Sequence, residues 1–139
     1  MSNSARVHTG GCLCGAVRYE ARGEPRYMGH CYCADCRKAS GSGFIPFMAF
    51  PASDVRVTGK LRLFRSEAAS GREAVRSSCA VCGGLVIGGE VGKDDMLNIY
   101  AGSLDDPSSF RPTIAIFTRG RPDWAVIPAG LKVFEGLPG

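Results

Sequence analysis

The residues of this 139-residue chain that are best suited to chemistry are its seven cysteines. They fall into three closely spaced groups: Cys12 and Cys14; Cys31, Cys33 and Cys36; Cys79 and Cys82. An odd number of cysteines cannot all be paired in intramolecular disulfides. Thiolates are ligands that zinc prefers, and four of them form a closed structural site, whereas three leave one position open for a ligand. The seven cysteines therefore predict one metal site of each kind.

The spacing alone allows two ways of dividing the cysteines between these sites. In the first, Cys31, Cys33 and Cys36 bind one ion locally and the other four form the closed site. In the second, the two C-x-x-C pairs form a zinc ribbon with a long insert. We favour the first because the three central cysteines lie so close in sequence. A single structural zinc with three free thiols is a weaker alternative, and a thioredoxin-like role is weaker still, because no βαβ pattern surrounds the C-x-x-C pairs.

Short strands are the elements that must position these cysteines. The chain has 19 glycines and 8 prolines, and so many turn-forming residues favour short strands over long helices. Alternating or β-rich runs predict strands at 16–20, 44–50, 55–57, 61–64, 85–87, 96–100 and 113–117. One helix is predicted at 34–40, beside the central cysteines, with Asp35 as its cap. The expected fold is mainly β with little helix, with packed sheets that carry the cysteines at loop ends.

Composition and charge exclude several classes of protein. The 45% hydrophobic and 22% charged residues are typical of globular proteins. The formal net charge of +4 falls to about +1 if all seven cysteines bind two Zn²⁺ as thiolates, so nucleic acid is an unlikely partner. The longest apolar run, 44–50, is far shorter than the ~20 residues of a membrane span. Residues 1–6 lack the apolar segment of a secretory signal. We therefore expect a cytoplasmic protein that does not associate with membranes.

Four sequence blocks follow one another along most of the chain: GGCLCGAVRY at 10–19, CYCADCRKASGS at 31–42, CAVCGG at 79–84 and AGSLDDP at 101–107. In this order they resemble the motifs of the glutathione-dependent formaldehyde-activating (GFA) family, which includes centromere protein V. Trp124 stands where that family carries a tryptophan. The resemblance spans roughly residues 8–137, and we expect one zinc-containing domain over 1–139.

The resemblance implies a fold of the Rab-accessory-protein type and a division of the cysteines. It implies structural zinc at Cys12, Cys14, Cys79 and Cys82, and catalytic zinc at Cys31, Cys33 and Cys36. Each chain would then bind two Zn²⁺, of which the three-cysteine site need not be fully occupied. Many relatives carry histidine between the first two central cysteines, where this chain has Tyr32. His30 precedes Cys31, and alternation along an extended chain directs its side chain away from that cysteine.

Three thiolates give bound Zn²⁺ a net negative charge, which favours thiol chemistry over hydrolysis. Such a centre acidifies bound water less than neutral ligands do, whereas a soft exogenous thiol suits it. The resemblance supplies glutathione and formaldehyde as the substrates, so we expect a carbon–sulfur lyase acting on S-hydroxymethylglutathione or on a related pair of a thiol and an electrophile. The alternative is a non-catalytic zinc module that binds protein or nucleic acid.

Arg37 and Lys38 are candidates for binding the carboxylates of glutathione, although a solvated helix face is the simpler interpretation. Trp124 is predicted to lie in the core.

Overall fold

Short strands dominate the computed structural model, which describes residues 6–68 and 70–138. The predicted domain bounds at 1 and 139 lie outside the described residues. The strands are β1 (Val7–Gly11), β2 (Arg18–Arg22), β3 (Tyr27–Cys31), β4 (Ile45–Pro51), β5 (Val55–Thr58), β6 (Leu61–Glu67), β7 (Glu73–Cys79), β8 (Leu85–Gly88), β9 (Met96–Tyr100), β10 (Ile114–Ile116) and β11 (Lys132–Val133). The described residues contain one α-helix, α1 (Ala34–Ser40). None of their helices is long and apolar enough to cross a membrane.

The strands form two sheets. The smaller has the order β1-β2-β5 and the larger the order β11-β10-β3-β4-β9-β8-β7-β6. Pairing is antiparallel except that β10 runs parallel to both β3 and β11. This architecture confirms the prediction of a mainly β fold with little helix.

Cross-strand register places a set of polar and sulfur-bearing side chains on one face of the larger sheet. Cys31 pairs with Ile45 on β4, and Tyr100 pairs with Phe47 two residues further along the same strand. Across β7 and β8, Arg76 pairs with Gly88. Directly paired residues share a face, as do residues two apart on one strand. One face of the sheet therefore carries Cys31, Tyr100 and Arg76.

The smaller sheet covers the opposite face and forms the main hydrophobic core with it. The large side chains of this core include Tyr19, Met48, Phe50, Ile87, Leu97 and Ile99, all at most 3% exposed. Tyr19, which comes from β2, keeps its hydroxyl hydrogen-bonded to the Ser103 Oγ at 2.7 Å. Because the core occupies this face, the face that carries Cys31 is left for a ligand.

Helix α1 has the predicted bounds but a different cap. Its N-cap is Cys33, whose Sγ accepts a hydrogen bond from the Cys36 N–H at 3.2 Å. The predicted cap, Asp35, is therefore wrong: it lies in the first turn. The helix ends at Gly41, whose φ of 73° is in the left-handed region that glycine adopts at little cost. A sulfur cap holds Cys33 beside Cys36, which places two cysteines at the start of the helix.

An exposed ion pair fastens the loop after β9 to the smaller sheet. Arg18 donates from both terminal nitrogens to the Asp105 carboxylate, and Thr9 donates its hydroxyl to the same carboxylate at 2.9 Å. The hydrogen bond from Arg18 lowers the pKa of Asp105 from 3.8 to about 2. A depressed carboxyl pKa stabilises the folded state above pH 3.8, and that stabilisation is lost as the pH falls towards 2.

We expect Asp105→Asn and Arg18→Gln each to lower the urea midpoint at pH 7, with little further loss when they are combined. A bidentate arginine–carboxylate pair is the geometry in which exposed ion pairs contribute measurably. Urea titrations of the two single variants and the double variant would measure the coupling, with Asp123→Asn as an exposed control. Strictly additive effects would contradict a direct interaction.

Candidate metal centres and active site

Four cysteine sulfurs from distant parts of the chain meet between the two sheets. Cys12 and Cys14 follow β1, Cys79 ends β7 and Cys82 lies in the loop after it; their Sγ atoms all lie within 4.8 Å of one another. The Sγ of Cys14 is 3.7 Å from those of both Cys12 and Cys79. A tetrahedron with zinc–sulfur bonds of ~2.3 Å has edges of about 3.8 Å. The spacing of this four-cysteine cluster therefore fits a zinc ion.

Backbone N–H groups surround the same sulfurs. Val17 donates to the Cys12 Sγ at 3.2 Å, Val81 donates to the Cys79 Sγ at 3.3 Å, and Gly84 donates to the Cys82 Sγ at 3.4 Å. The hydrogen bond from Val17 lowers the pKa of Cys12 to about 6. Amide donors stabilise thiolates, the form in which cysteine binds metal. Both the spacing of the four sulfurs and the N–H donors around them therefore suit a metal–thiolate centre.

The other three cysteines form a separate group, the trio, where β3 leads into α1. The Sγ atoms of Cys31, Cys33 and Cys36 also lie within 4.8 Å of one another. Hydrogen bonds from the Cys31 and Cys36 thiols lower the pKa of Cys33 to about 2, whereas contact with Cys33 and Cys36 raises the pKa of Cys31. Three converging sulfurs fit a zinc ion with one coordination position left for a ligand.

A cleft of about 640 Å³ opens over the trio. Cys31 and Cys36 lie on its floor with Ile45 and Phe47, and β7, β8 and β9 contribute its walls. Its volume is within the range of small-molecule sites. Charged side chains of both signs line the cleft: Arg72, Glu73, Arg76, Lys93, Asp94 and Asp95. The cleft therefore suits a small zwitterionic ligand that reaches the trio.

Two residues of the cleft wall, Arg76 and Tyr100, are absent from the sequence-based set of candidates. Arg76 on β7 is half-buried, and its guanidinium donates to the Cys36 Sγ at 3.8 Å. Tyr100 on β9 packs against the residues around the trio, and burial raises the pKa of its hydroxyl. Neither residue lies near Cys31, Cys33 or Cys36 in sequence, and strand pairing in the larger sheet brings them to the trio.

Comparison with known proteins assigns the chain to a family. The family model described as glutathione-dependent formaldehyde-activating enzyme matches residues 7–120. The chain belongs to this family. The solved structure of a Rhodobacter sphaeroides protein matches with a TM-score of 0.53 and 23% identity, covering 70% of this chain and 87% of that one, which supports the shared fold. A search of curated proteins finds no match.

Membership of the GFA family confirms the resemblance carried by the sequence motifs. The two groups of cysteines that the structure brings together are those of the first division, not those of the zinc ribbon. Both groups could hold zinc. That they bind it, and that the trio is catalytic, remain predictions.

The residue at the position where many GFA sequences carry histidine is buried away from the cleft. Tyr32 donates its hydroxyl to the Val126 carbonyl at 3.0 Å and is fully buried. His30 stacks on Phe44 with ring centroids 4.1 Å apart, and burial lowers its pKa. His30 and Cys31 are consecutive on β3 and so face opposite sides of the sheet. His30 is therefore not placed to join the trio as a fourth ligand.

The predicted core position of Trp124 is wrong, because 70% of this residue is exposed. Its ring lies over Gly43, where an added Cβ would come 2.9 Å from the indole. Gly43 is buried, so the indole packs on a covered glycine while most of the side chain stays in solvent. Arg37 and Lys38 do not line the cleft over the trio, and Lys38 borders a second, smaller cleft beside α1. The solvated helix face therefore suits Lys38, which is exposed, whereas Arg37 is half-buried and its Nε is buried without a hydrogen-bond partner among the described residues.

Proposed function

We propose that this GFA-family protein is a zinc-dependent carbon–sulfur lyase that joins the thiol of glutathione to formaldehyde, or to a related small electrophile, and catalyses the reverse cleavage. The observation that carries the proposal is the trio, whose sulfurs converge and two of whose members, Cys31 and Cys36, lie on the floor of an open cleft. A site built to stabilise the fold would be closed by a fourth protein ligand, as the four-cysteine cluster is.

The proposal assigns two zinc ions to each chain. The four-cysteine cluster holds the first as a structural ion, and the trio holds the second, whose occupancy after purification need not be complete. Zinc held by three thiolates accepts a fourth soft ligand and favours the thiolate form of a bound thiol. The trio would therefore select a thiol substrate over water.

The charges of the cleft support a ligand of the glutathione type. Glutathione carries two carboxylates and one ammonium group, and the cleft offers Arg72 and Lys93 for the former. Glu73, Asp94 and Asp95 provide the opposite sign for the ammonium group. Ion pairs at both ends of the peptide would hold its cysteine over the trio. Holding the thiol beside the electrophile converts a bimolecular addition into a reaction between bound groups, which is a large contribution to catalysis.

Cobalt substitution with a thiol titration tests the proposal. Co²⁺ at the trio has a visible spectrum that responds to an additional sulfur ligand. We expect glutathione to change this spectrum, whereas S-methylglutathione, which cannot form a thiolate, leaves it unchanged. An identical response to both peptides would contradict binding through sulfur. No response to either peptide would favour the non-catalytic zinc module.

A further inference from the structure

The cleft wall contains two hydrogen-bond donors that a ligand could meet, the Arg76 guanidinium and the Tyr100 hydroxyl. The Nε of Arg76 is buried without a hydrogen-bond partner, and no ion pair joins its guanidinium to a carboxylate within the described residues. The hydroxyl groups of Tyr19 and Tyr32 are bonded to Ser103 and to the Val126 carbonyl. The side chain of Tyr100 lines the same cleft. A buried donor without an acceptor is rare and calls for an explanation, and a ligand in the cleft would supply the acceptor for the Arg76 Nε.

The sheet brings these two donors together over the trio. Arg76 pairs with Gly88 across β7 and β8, and the phenol of Tyr100 lies over the same glycine. A Cβ at Gly88 would come 2.6 Å from the Tyr100 hydroxyl, so only glycine leaves room for this ring. Arg76 also reaches the Cys36 sulfur at 3.8 Å. Both donors therefore line the cleft that has Cys31 and Cys36 on its floor.

We propose that the Tyr100 hydroxyl and the Arg76 guanidinium form a binding site for the oxygen of a carbonyl compound, such as a small aldehyde, as a thiol adds to it. The inference rests on the proposed function and names the residues that bind the electrophile. In the addition, a lone pair of the thiolate sulfur forms the new carbon–sulfur bond, and the π electrons of the carbonyl move to its oxygen. That oxygen then takes a proton from water, and the reverse reaction follows the same path.

The chemistry of the two groups suits this role. Negative charge develops on the carbonyl oxygen during addition, and fixed donors in a cleft stabilise it more than water does. A tyrosine hydroxyl carries its proton at neutral pH, so it donates to the oxygen. The arginine charge is permanent. An electrophile without a carbonyl, such as an alkyl halide, places no charge on oxygen and would gain nothing from these donors.

Tyr100→Phe and Arg76→Met test the inference, with glutathione and formaldehyde as substrates. Removing one donor of this kind lowers kcat by about 10²–10³-fold. We expect that loss in each variant, with the KM for glutathione changed by less than about threefold and with zinc content and melting temperature unchanged. Tyr27→Phe removes a hydroxyl from a residue that is 55% exposed and outside the cleft, and it should behave as wild type.

A binding measurement provides a readout other than turnover. In equilibrium dialysis, wild-type protein should prefer S-hydroxymethylglutathione, kept formed by excess formaldehyde, over S-ethylglutathione, which has a methyl group in place of the hydroxyl. Tyr100→Phe should abolish this preference. Gly88→Ala, which displaces the Tyr100 ring without altering it, should reduce kcat and the preference in the same way.

The outcomes separate this inference from the proposed function. If Tyr100→Phe, Arg76→Met and Gly88→Ala all keep the wild-type rate and the wild-type ligand preference, the carbonyl site is wrong. The proposed lyase function would be unaffected by that result. Wild-type protein that neither binds glutathione nor accelerates its addition to formaldehyde would overturn both.

Discussion

Replacing Cys79 with serine is expected to leave most of the protein unfolded at 25 °C. Cys79 is 1% exposed and its sulfur belongs to the four-cysteine cluster. Structural zinc contributes about 10–16 kcal/mol to the folding of small zinc domains at pH 7. The whole free energy of unfolding of a typical domain is only about 5–15 kcal/mol. A variant that no longer holds this zinc therefore loses an amount comparable with the total, and circular dichroism with zinc quantification would measure it.

The control for this variant lies two residues away. Val81→Ser changes a side chain that is 76% exposed in the same C-x-x-C loop, so it should fold and keep its zinc. A Cys79→Ser protein that melts within about 5 °C of wild type would remove the structural assignment of the cluster, since such a shift corresponds to only about 1 kcal/mol.

Cys33→Ser is expected to fold, to lose one of two zinc ions and to lower the rate of thiol addition by about 10³-fold. The trio spans six residues, so opening it releases no distant segment. Serine is a favoured N-cap and can accept the Cys36 N–H that the Cys33 sulfur accepts now. Metal activation contributes several kcal/mol to such reactions, and about 4 kcal/mol corresponds to 10³-fold. Zinc content, melting temperature and single-turnover rates would together test this expectation.

Ala34→Ser, at the exposed neighbouring position, is the matched control for Cys33→Ser and should keep both zinc ions and full activity. If Cys33→Ser instead unfolds as extensively as Cys79→Ser, the trio has a structural role and the division of the cysteines needs revision.

The parts of the fold that depend on local pattern were predictable from the sequence. Helix α1 has the predicted bounds, and each predicted run overlaps a strand of the structure. Strands β1, β3, β7 and β11 were not predicted. In β7 the reason is that its buried positions are not all apolar. Ser77 is fully buried there and donates its hydroxyl to the Gly89 carbonyl at 2.8 Å. A buried serine whose hydroxyl is hydrogen-bonded interrupts the alternation of apolar and polar residues that predicts a strand.

The residues of the candidate site also divide into those that the sequence predicts and those that it does not. Sequence spacing and family motifs select the cysteines, because metal ligands cluster in short motifs. Arg76 and Tyr100 come from strands that β8 separates in the sheet, and no local pattern marks either residue. The exposed position of Trp124 was also unpredictable, because it depends on contact with Gly43, about 80 residues earlier in the sequence.

The wide separation of the two halves of the four-cysteine cluster determines the order in which its sulfurs become available during synthesis. Cys14 and Cys79, whose sulfurs lie 3.7 Å apart in the fold, are separated by 65 residues. A ribosome adds about 5–20 residues per second, so the first two cysteines wait roughly 3–13 s for their partners. The trio, by contrast, is synthesised within about a second. The nascent chain thus presents a complete three-sulfur ligand set well before the cluster that ties its two sheets together can close.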